Sequence, residues 1–204
     1  LKRDGPRILV SATDLADGTR LIFSPDNFDV LCTDLSSVRL ARAAAASSAV
    51  PVVLSSITID NYGGTCGYRP PPWTKLFLDN PDPPRPAART VKRLQELEAF
   101  ADRERRPFLH LVDGGVSDNV GMRGVLDVLS TFESLHAAGE KTPYDHVRNI
   151  FIFVVNSLAT PPNDWGRHEN PPALFDVLIK ATGTPIDRYS YDTVETLRDI
   201  QARW

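Results

Sequence analysis

An aspartate follows directly on a short, largely apolar run, at the point where the chain turns through two glycines. The run is residues 108–112 and the turn is Asp113-Gly114-Gly115. Such a run is typical of a buried strand, and the sites of open α/β sheets collect at the carboxyl ends of strands. Glycine has no side chain, so another group can come close to the carboxylate. Two roles fit Asp113: a proton acceptor in a reaction, or a cap for the turn, which aspartates often are.

A nucleophile for such an acceptor is not evident in the 204 residues. Neither G-x-S-x-G nor G-x-G-x-x-G occurs, and the nearest string, residues 115–119, lacks the closing glycine. Ser47 and Ser48 end an alanine-rich stretch outside any nucleophile-elbow sequence. Serines in the last turn of a helix commonly bond the backbone, so we interpret both as packing or hydrogen-bonding residues.

No histidine completes a Ser-His-Asp triad. His110 is three residues before Asp113, and side chains an odd number apart on a strand point to opposite faces. We therefore expect His110 to pack in the core. His136 stands at a predicted helix end, and His146 and His168 stand in predicted loops, all without a supporting motif.

Metal chemistry is not indicated, and the two cysteines allow two interpretations. Asp118 and Asn119 lack the alternating acids and central glycine of a calcium loop, and two thiolates are too few for a four-thiolate zinc site. We expect no metal and no cofactor. Cys32 and Cys66 are either small buried apolar residues or one disulfide, which would favour a secreted or cell-envelope protein. The turn-rich segment 62–67 suits a bridged cysteine.

The composition is that of one folded domain, residues 1–204. Hydrophobic residues make up 42% of the chain, the net charge is −3, and lysines and arginines are scattered, which argues against disorder and against a nucleic-acid partner. No apolar run approaches the length of a membrane span. Leu1 looks like an internal start of a longer protein.

Periodicity places the aspartate in an α/β domain. Strands alternate with helices, an order that predicts a layered α/β fold, and the run IFIFVV predicts a buried parallel strand. A turn at residues 16–18 predicts a hairpin, and Gly139 predicts a helix stop. The predicted strands are residues 7–12, 19–23, 52–59, 108–112 and 150–155. The predicted helices are residues 34–49, 90–105, 122–138, 173–181 and 187–204, with residues 25–29 as a loop.

Two helical faces carry specific expectations. Ala41, Ala44, Ala45 and Ala49 form a face with almost no side-chain bulk, so that helix can lie very close to a neighbour. In the helix 90–105, the apolar stripe is expected to be buried and Arg93, among other polar residues, to face water.

Two proline-rich loops interrupt this pattern, at about residues 61–89 and 157–172. Seventeen prolines exceed the usual share of about 5%, and long loops are often lids or binding loops. Trp73, Leu76, Phe77 and Leu78 either form a lipid-facing lid or tuck the first loop onto the core, and we favour the second.

The string HLVDGGVSDNVG, preceded by ILVSATDLADG and ARAAAASSAVPVV, resembles the patatin-like phospholipase family, over about residues 7–156. The resemblance implies a three-layer sheet flanked by helices, distantly like α/β-hydrolases, which is incomplete here because the 204 residues are the C-terminal section of the domain. It implies that Asp113 partners a nucleophilic serine without a histidine. Gly114 and Gly115 are then requirements of the turn, and Asn119 supports it.

The resemblance implies a lipid acyl hydrolase that cleaves acyl esters through an acyl-serine intermediate. The serine would belong to an N-terminal half of the domain that these residues lack, and the 204 residues alone would be inactive. The substrate would be a lipid or other acyl ester, with transient contact to a membrane surface. Two alternatives stay open: a non-catalytic module that binds lipid or a protein partner, and an acyltransferase of related architecture.

Overall fold

A computed structural model describes residues 7–80, 82, 85–142, 144–155, 165–167, 169 and 171–203. The strands are β1 (Ser11–Asp14), β2 (Arg20–Ile22), β3 (Ile57–Asp60) and β4 (Phe108–Asp113). The α-helices are α1 (Pro25–Val30), α2 (Leu40–Ser47), α3 (Lys75–Leu78), α4 (Arg85–Ala101), α5 (Gly115–Asp118), α6 (Met122–Ala137) and α7 (Leu174–Arg203). Short 3₁₀ turns occupy Leu35–Ser37, Pro72–Thr74 and Trp165–Arg167.

The fold is mixed α/β, with a four-stranded antiparallel sheet packed against helices. The strand order is β2-β1-β4-β3, and every pair of neighbours is antiparallel. The predicted parallel strand at residues 150–155 is wrong as a description of this structure, because these residues are neither helix nor strand. A parallel strand needs a neighbouring strand on which to hydrogen-bond, and the described sheet provides none for it.

The predicted hairpin is confirmed, with its first strand shifted to Ser11–Asp14. The Asp14 backbone N–H donates to the Thr19 carbonyl at 2.8 Å, and Gly18 has a φ of 75°. That left-handed conformation suits glycine. The expected loop at 25–29 is wrong: Pro25 stands at the start of α1, a position where its missing N–H costs no helical hydrogen bond.

The main core lies between the sheet, α2 and α4. Its buried members are Ala12, Leu21, Val30, Leu31, Ala46, Phe100, Leu109 and Leu111. The alanine helix is shorter than predicted and packs through a different face. Ala43, Ala46 and Ala49 are buried, whereas Ala41, Ala44 and Ala45 are exposed. Of the four alanines of the predicted face, Ala49 is therefore buried and the other three are exposed.

The first proline-rich loop contains helices and is tucked onto the protein, as we favoured. Trp73, Phe77 and Leu78 pack with Leu94 of α4, and the Trp73 and Phe77 rings meet edge to face at 6.1 Å. Leu76, the fourth residue of this prediction, is instead exposed. The second loop falls mostly outside the described residues. Helix α4 has the predicted apolar stripe but buries Phe100 as well.

Arg93 does not face water as predicted. Its guanidinium donates to the Arg20 carbonyl at 2.9 Å and to the Asn27 side chain at 3.0 Å, and it pairs with Glu96. Burial lowers the pKa of Arg93 from its usual range, and neighbouring Arg20 adds to that effect. The side chain thus ties α4 to β2 and α1.

Helix α6 is confirmed, and it ends as predicted. Gly139 has a φ of 79° and its N–H donates to the His136 carbonyl, the left-handed glycine stop that closes many helices. Residues 174–203 form one helix, not two, and Pro185 lies inside it. Among the described residues no helix is long and apolar enough to cross a membrane.

Candidate active site

The last residue of β4 is Asp113, as the apolar run predicts. Its Cα is paired in register with Ala12 of β1. Its backbone N–H donates to the Ala49 carbonyl at 2.9 Å, and the Gly114 N–H donates to the Ser47 carbonyl at 3.1 Å. The C-terminal end of α2 is therefore fastened directly to the turn that carries the carboxylate.

The two glycines of the turn sit where side chains would collide. A Cβ at position 114 would lie 2.4 Å from the Ser11 carbonyl oxygen, and a Cβ at position 115 would lie 3.0 Å from Asp113 Oδ1 and 3.2 Å from Asn119 Oδ1. The glycine at 114 lets β1 and the turn approach each other. Because residue 115 is a glycine, the Asp113 and Asn119 side chains can both lie against its backbone.

One oxygen of the Asp113 carboxylate is anchored. Oδ1 accepts a 2.7 Å hydrogen bond from the Gly115 N–H. Within the described part of the chain, no hydrogen bond reaches Oδ2, and the residue is only half-buried. Such a carboxylate has a fixed direction and one oxygen available to a further group.

Thr13 of β1 is a buried support for the turn that the sequence did not reveal. Its hydroxyl donates to the Asp113 carbonyl at 2.8 Å, accepts from the Ser117 N–H at 3.2 Å, and lies 2.9 Å from Ser117 Oγ. The partners are about a hundred residues apart in the chain, so no local motif marks them. The signal in the sequence is weak: it is only a threonine on a strand that pairs next to the two turn glycines.

Asp118 caps α6 and belongs to a buried charge network. Its carboxylate accepts from the Arg123 and Gly124 N–H groups at 3.0 and 3.2 Å, as acceptors at helix starts do. It also pairs at 3.3 Å with Arg20, which reaches Asp127. Asp118 therefore has a structural task.

Asn119, expected to support the turn, connects it to α7. Its side-chain amide donates to Ser190 Oγ at 3.4 Å, and the Arg123 guanidinium lies over the Tyr189 ring, 5.1 Å from its centroid. The gap between the turn and α7 has a volume of about 10 Å³, room for about one water molecule. No substrate-sized cleft lies there.

Within the described residues, no histidine or serine side chain is hydrogen-bonded to the Asp113 carboxylate. His110 is exposed, and its Nδ1 lies 3.0 Å from Thr58 Oγ1, so the prediction of a core position is wrong: its face of the sheet is open to solvent. His168 lies outside the described residues. Ser48 Oγ donates to the Ala44 carbonyl at 2.9 Å, the backbone role predicted for it.

A buried ion pair joins Asp14, the last residue of β1, to Arg106, which lies just before β4. Asp14 pairs with Arg106 and accepts from the His110 N–H at 3.3 Å. Burial raises the pKa of Asp14, with Arg106 opposing part of the rise. The pKa of the neighbouring Asp17 is lowered, because hydrogen bonds from Thr19 and Arg106 outweigh its own burial.

The two cysteines form a disulfide, so that interpretation is confirmed. The Cys32 and Cys66 Cα atoms are 5.4 Å apart, and the bridge links the end of α1 to the first residues of the first proline-rich loop. No group of three or more His, Cys, Asp or Glu residues within the described ranges is arranged to hold a metal ion.

Comparison with protein-family models, with curated proteins and with solved structures finds no match for this chain.

Proposed function

We propose that this chain is the aspartate-bearing part of a serine lipid acyl hydrolase with a three-layer, patatin-like domain. The observation that carries the proposal is the Asp113 carboxylate itself. One oxygen is fixed by the Gly115 N–H, the other has no partner within the described residues, and the turn around it is tightly packed. A turn cap needs only the first oxygen, whereas a proton acceptor needs the second.

In the proposed reaction, a serine from a segment outside these residues attacks the ester carbonyl. Its hydroxyl proton moves to Asp113 and then to the departing alcohol, leaving an acyl-serine. Water then attacks the acyl group and gives its proton to Asp113. Asp113 passes that proton to the serine oxygen as the acyl–oxygen bond breaks, so the fatty acid leaves and both the serine and the carboxylate are restored. A serine needs such an adjacent base because it is a weak nucleophile at its own pKa.

The substrate class follows from the resemblance and is supported by the surface. Apolar side chains on either side of β1 (Ile8, Leu9 and Leu15), and others of α2, α7 and the segment 144–155, are exposed, so the protein has surface that a lipid or another apolar partner could cover. The disulfide supports an oxidising compartment, the cell envelope or the exterior. We propose transient contact with a membrane surface and no nucleic-acid partner.

The same exposed surface favours one competing function, a non-catalytic module that binds lipid or a protein partner. Treatment of the natural protein with a fluorophosphonate ester, followed by mass spectrometry, separates the two. The hydrolase predicts one labelled serine, with slower labelling in Asp113→Asn. Absence of any labelled serine would reject the hydrolase and leave the binding module.

A further inference from the structure

The two sulfurs of the Cys32–Cys66 disulfide have different surroundings. Cys66 is exposed, whereas Cys32 is partly buried. The Cys66 backbone N–H donates to Cys32 Sγ at 3.2 Å, and Cys66 Sγ lies 3.7 Å from the Asp29 carbonyl oxygen. One sulfur therefore has a hydrogen-bond donor beside it, and the other has an acceptor.

This difference determines which sulfur leaves when the S–S bond is attacked. A hydrogen bond donated to a sulfur stabilises its thiolate, whereas a neighbouring carbonyl favours the protonated thiol. In thiol–disulfide exchange, the sulfur with the better stabilised thiolate leaves faster. Cys32 is therefore the leaving group, and the exposed sulfur of Cys66 is the one that an incoming thiolate attacks.

Backbone hydrogen bonds hold Cys32 in place independently of the bridge. The Cys32 N–H donates to the Asp29 carbonyl at 3.1 Å. The next N–H, of Thr33, donates to the Phe28 carbonyl at 3.0 Å. With Cys32 in the left-handed conformation, at a φ of 51°, this is a common way for a helix to end. Neither bond involves a sulfur, so we expect the end of α1 to keep its shape when the bridge opens.

The segment that carries Cys66 depends on the bridge. On one side of it the Asn61 side chain donates to the Arg106 carbonyl at 2.8 Å, and on the other side Trp73 packs onto the apolar cluster of α3 and α4. Between these two anchors, in the described part of the chain, residues 67–70 make no hydrogen bond and Cys66 bonds only across the bridge. Opening the bridge therefore releases residues 66–70 and leaves both anchors intact.

We propose that the Cys32–Cys66 bridge is a site of reversible exchange with a small-molecule thiol, which forms a mixed disulfide on Cys66. The thiolate of the small molecule attacks Cys66 Sγ, and the S–S bond breaks. Cys32 leaves with the electron pair as a thiolate, stabilised by the Cys66 N–H as it departs. The Cys32 sulfur is thereby reduced and the sulfur of the small thiol is oxidised. In the reverse step, the Cys32 thiolate attacks Cys66 Sγ, restores the bridge and expels the small thiol.

The exchange would act as a switch on the first proline-rich loop. Exposed bridges are the labile ones, whereas most structural bridges resist reduction. With the bridge closed, residues 66–70 are fastened to the end of α1. With the mixed disulfide formed, they are held only at Asn61 and Trp73, while the sheet and its core keep their contacts.

Reaction of the folded protein with 2-mercaptoethanol, a small uncharged thiol, tests which sulfur is attacked. Samples are trapped at early times with iodoacetamide, digested and analysed by mass spectrometry. The mercaptoethanol adduct should be on Cys66 and the carbamidomethyl group on Cys32, in an excess on the order of tenfold over the opposite pattern, because the better stabilised thiolate leaves faster. Equal amounts of the two patterns, or an excess of the opposite one, would overturn the proposal. So would a bridge that reacts only in urea, since exchange would then require unfolding.

Chymotrypsin measures the release of the loop. Cleavage after Tyr68 should be about tenfold faster in the thiol-treated protein than in the bridged protein, because cleavage follows local opening. Cleavage after Phe151, an exposed residue outside helices and strands, serves as the control and should not change. A protein in which both Cys32→Ser and Cys66→Ser are made should be cleaved after Tyr68 as fast as the thiol-treated protein. Unchanged cleavage after Tyr68, or an equal rise at both sites, would overturn the switch.

Discussion

The Gly115 backbone N–H donates a 2.7 Å hydrogen bond to Oδ1 of Asp113, two residues before it. This bond needs an acceptor oxygen and no negative charge, so an amide side chain can also accept it. A substitution by asparagine therefore keeps the shape of the side chain at residue 113 and removes its ability to accept a proton. An asparagine at this position distinguishes the two roles, turn cap and base.

Asp113→Asn in the natural protein should lower kcat for a p-nitrophenyl ester by ~10²–10⁴-fold, the usual contribution of a general acid or base. The free energy of unfolding should change by less than ~1 kcal/mol, because aspartate and asparagine cap about equally well. Steady-state kinetics and urea unfolding measure the two quantities. Asp34→Asn, an exposed cap of a 3₁₀ turn, serves as the control and should leave kcat unchanged. Wild-type kcat in a folded Asp113→Asn protein would refute the catalytic role.

Gly114→Ala should destabilise the chain, whereas Gly124→Ala should stabilise it. A methyl group at 114 would meet the Ser11 carbonyl oxygen at 2.4 Å, and overpacking of this kind costs about 1–3 kcal/mol. At 124, within α6, the nearest atoms are 3.9 Å away, and alanine in a helix gains about 0.5–1 kcal/mol over glycine. Urea unfolding of the 204-residue chain measures both, and the same sign for both would contradict the packing argument.

Reduction of the Cys32–Cys66 disulfide should lower the free energy of unfolding by about 2–4 kcal/mol, the typical loss for a bridge that restricts the unfolded chain. The bridge spans 34 residues. Urea unfolding with and without dithiothreitol measures the loss. A variant with both cysteines replaced by serine should match the reduced wild type and should not respond to dithiothreitol; a response would point to another target of the reductant.

The stability difference between wild type and Asp14→Asn should depend on pH. Burial raises the pKa of Asp14 in the folded protein, so the folded state holds the proton more tightly than the unfolded state. As pH falls from 7 to about 4, wild type should therefore gain stability relative to Asp14→Asn. Unfolding in urea across that range measures the difference, and a constant or falling difference would contradict it.

Asp34→Asn provides a comparison of opposite sign. Hydrogen bonds from Ser36 lower the pKa of Asp34, so wild type should lose stability relative to this variant as pH falls below about 4, the ordinary aspartate range.

The features predicted correctly from the sequence are those written within a few neighbouring residues. The run before Asp113, the glycine turn of the hairpin and the stop of α6 at Gly139 all depend on local backbone preferences. The cysteine bridge was one of two readings, and the turn-rich segment around Cys66 favoured it.

The features that were missed depend on residues far apart in the chain. The antiparallel pairing of β1 with β4 and the bond from Thr13 to the Asp113 carbonyl join residues about a hundred positions apart. Arg93 was predicted to face solvent because no neighbouring residue in the sequence shows that its guanidinium donates to Asn27 and to the Arg20 carbonyl. We predicted a strand for the run IFIFVV because its residues are apolar and favour strands. That local preference does not provide the neighbouring strand with which it would have to pair.

The placement of β4 between β1 and β3 sets an order of events during synthesis. At about 5–20 residues per second, Asp113 emerges several seconds after Ala12, its partner in the register. Until then one edge of the β1–β2 hairpin is unpaired, and unpaired edges attract other chains. Cys32 and Cys66 both precede β4, so their disulfide can form before β4 is synthesised. The first third of the nascent chain would then already be cross-linked by the disulfide when β4, the strand between β1 and β3, is synthesised.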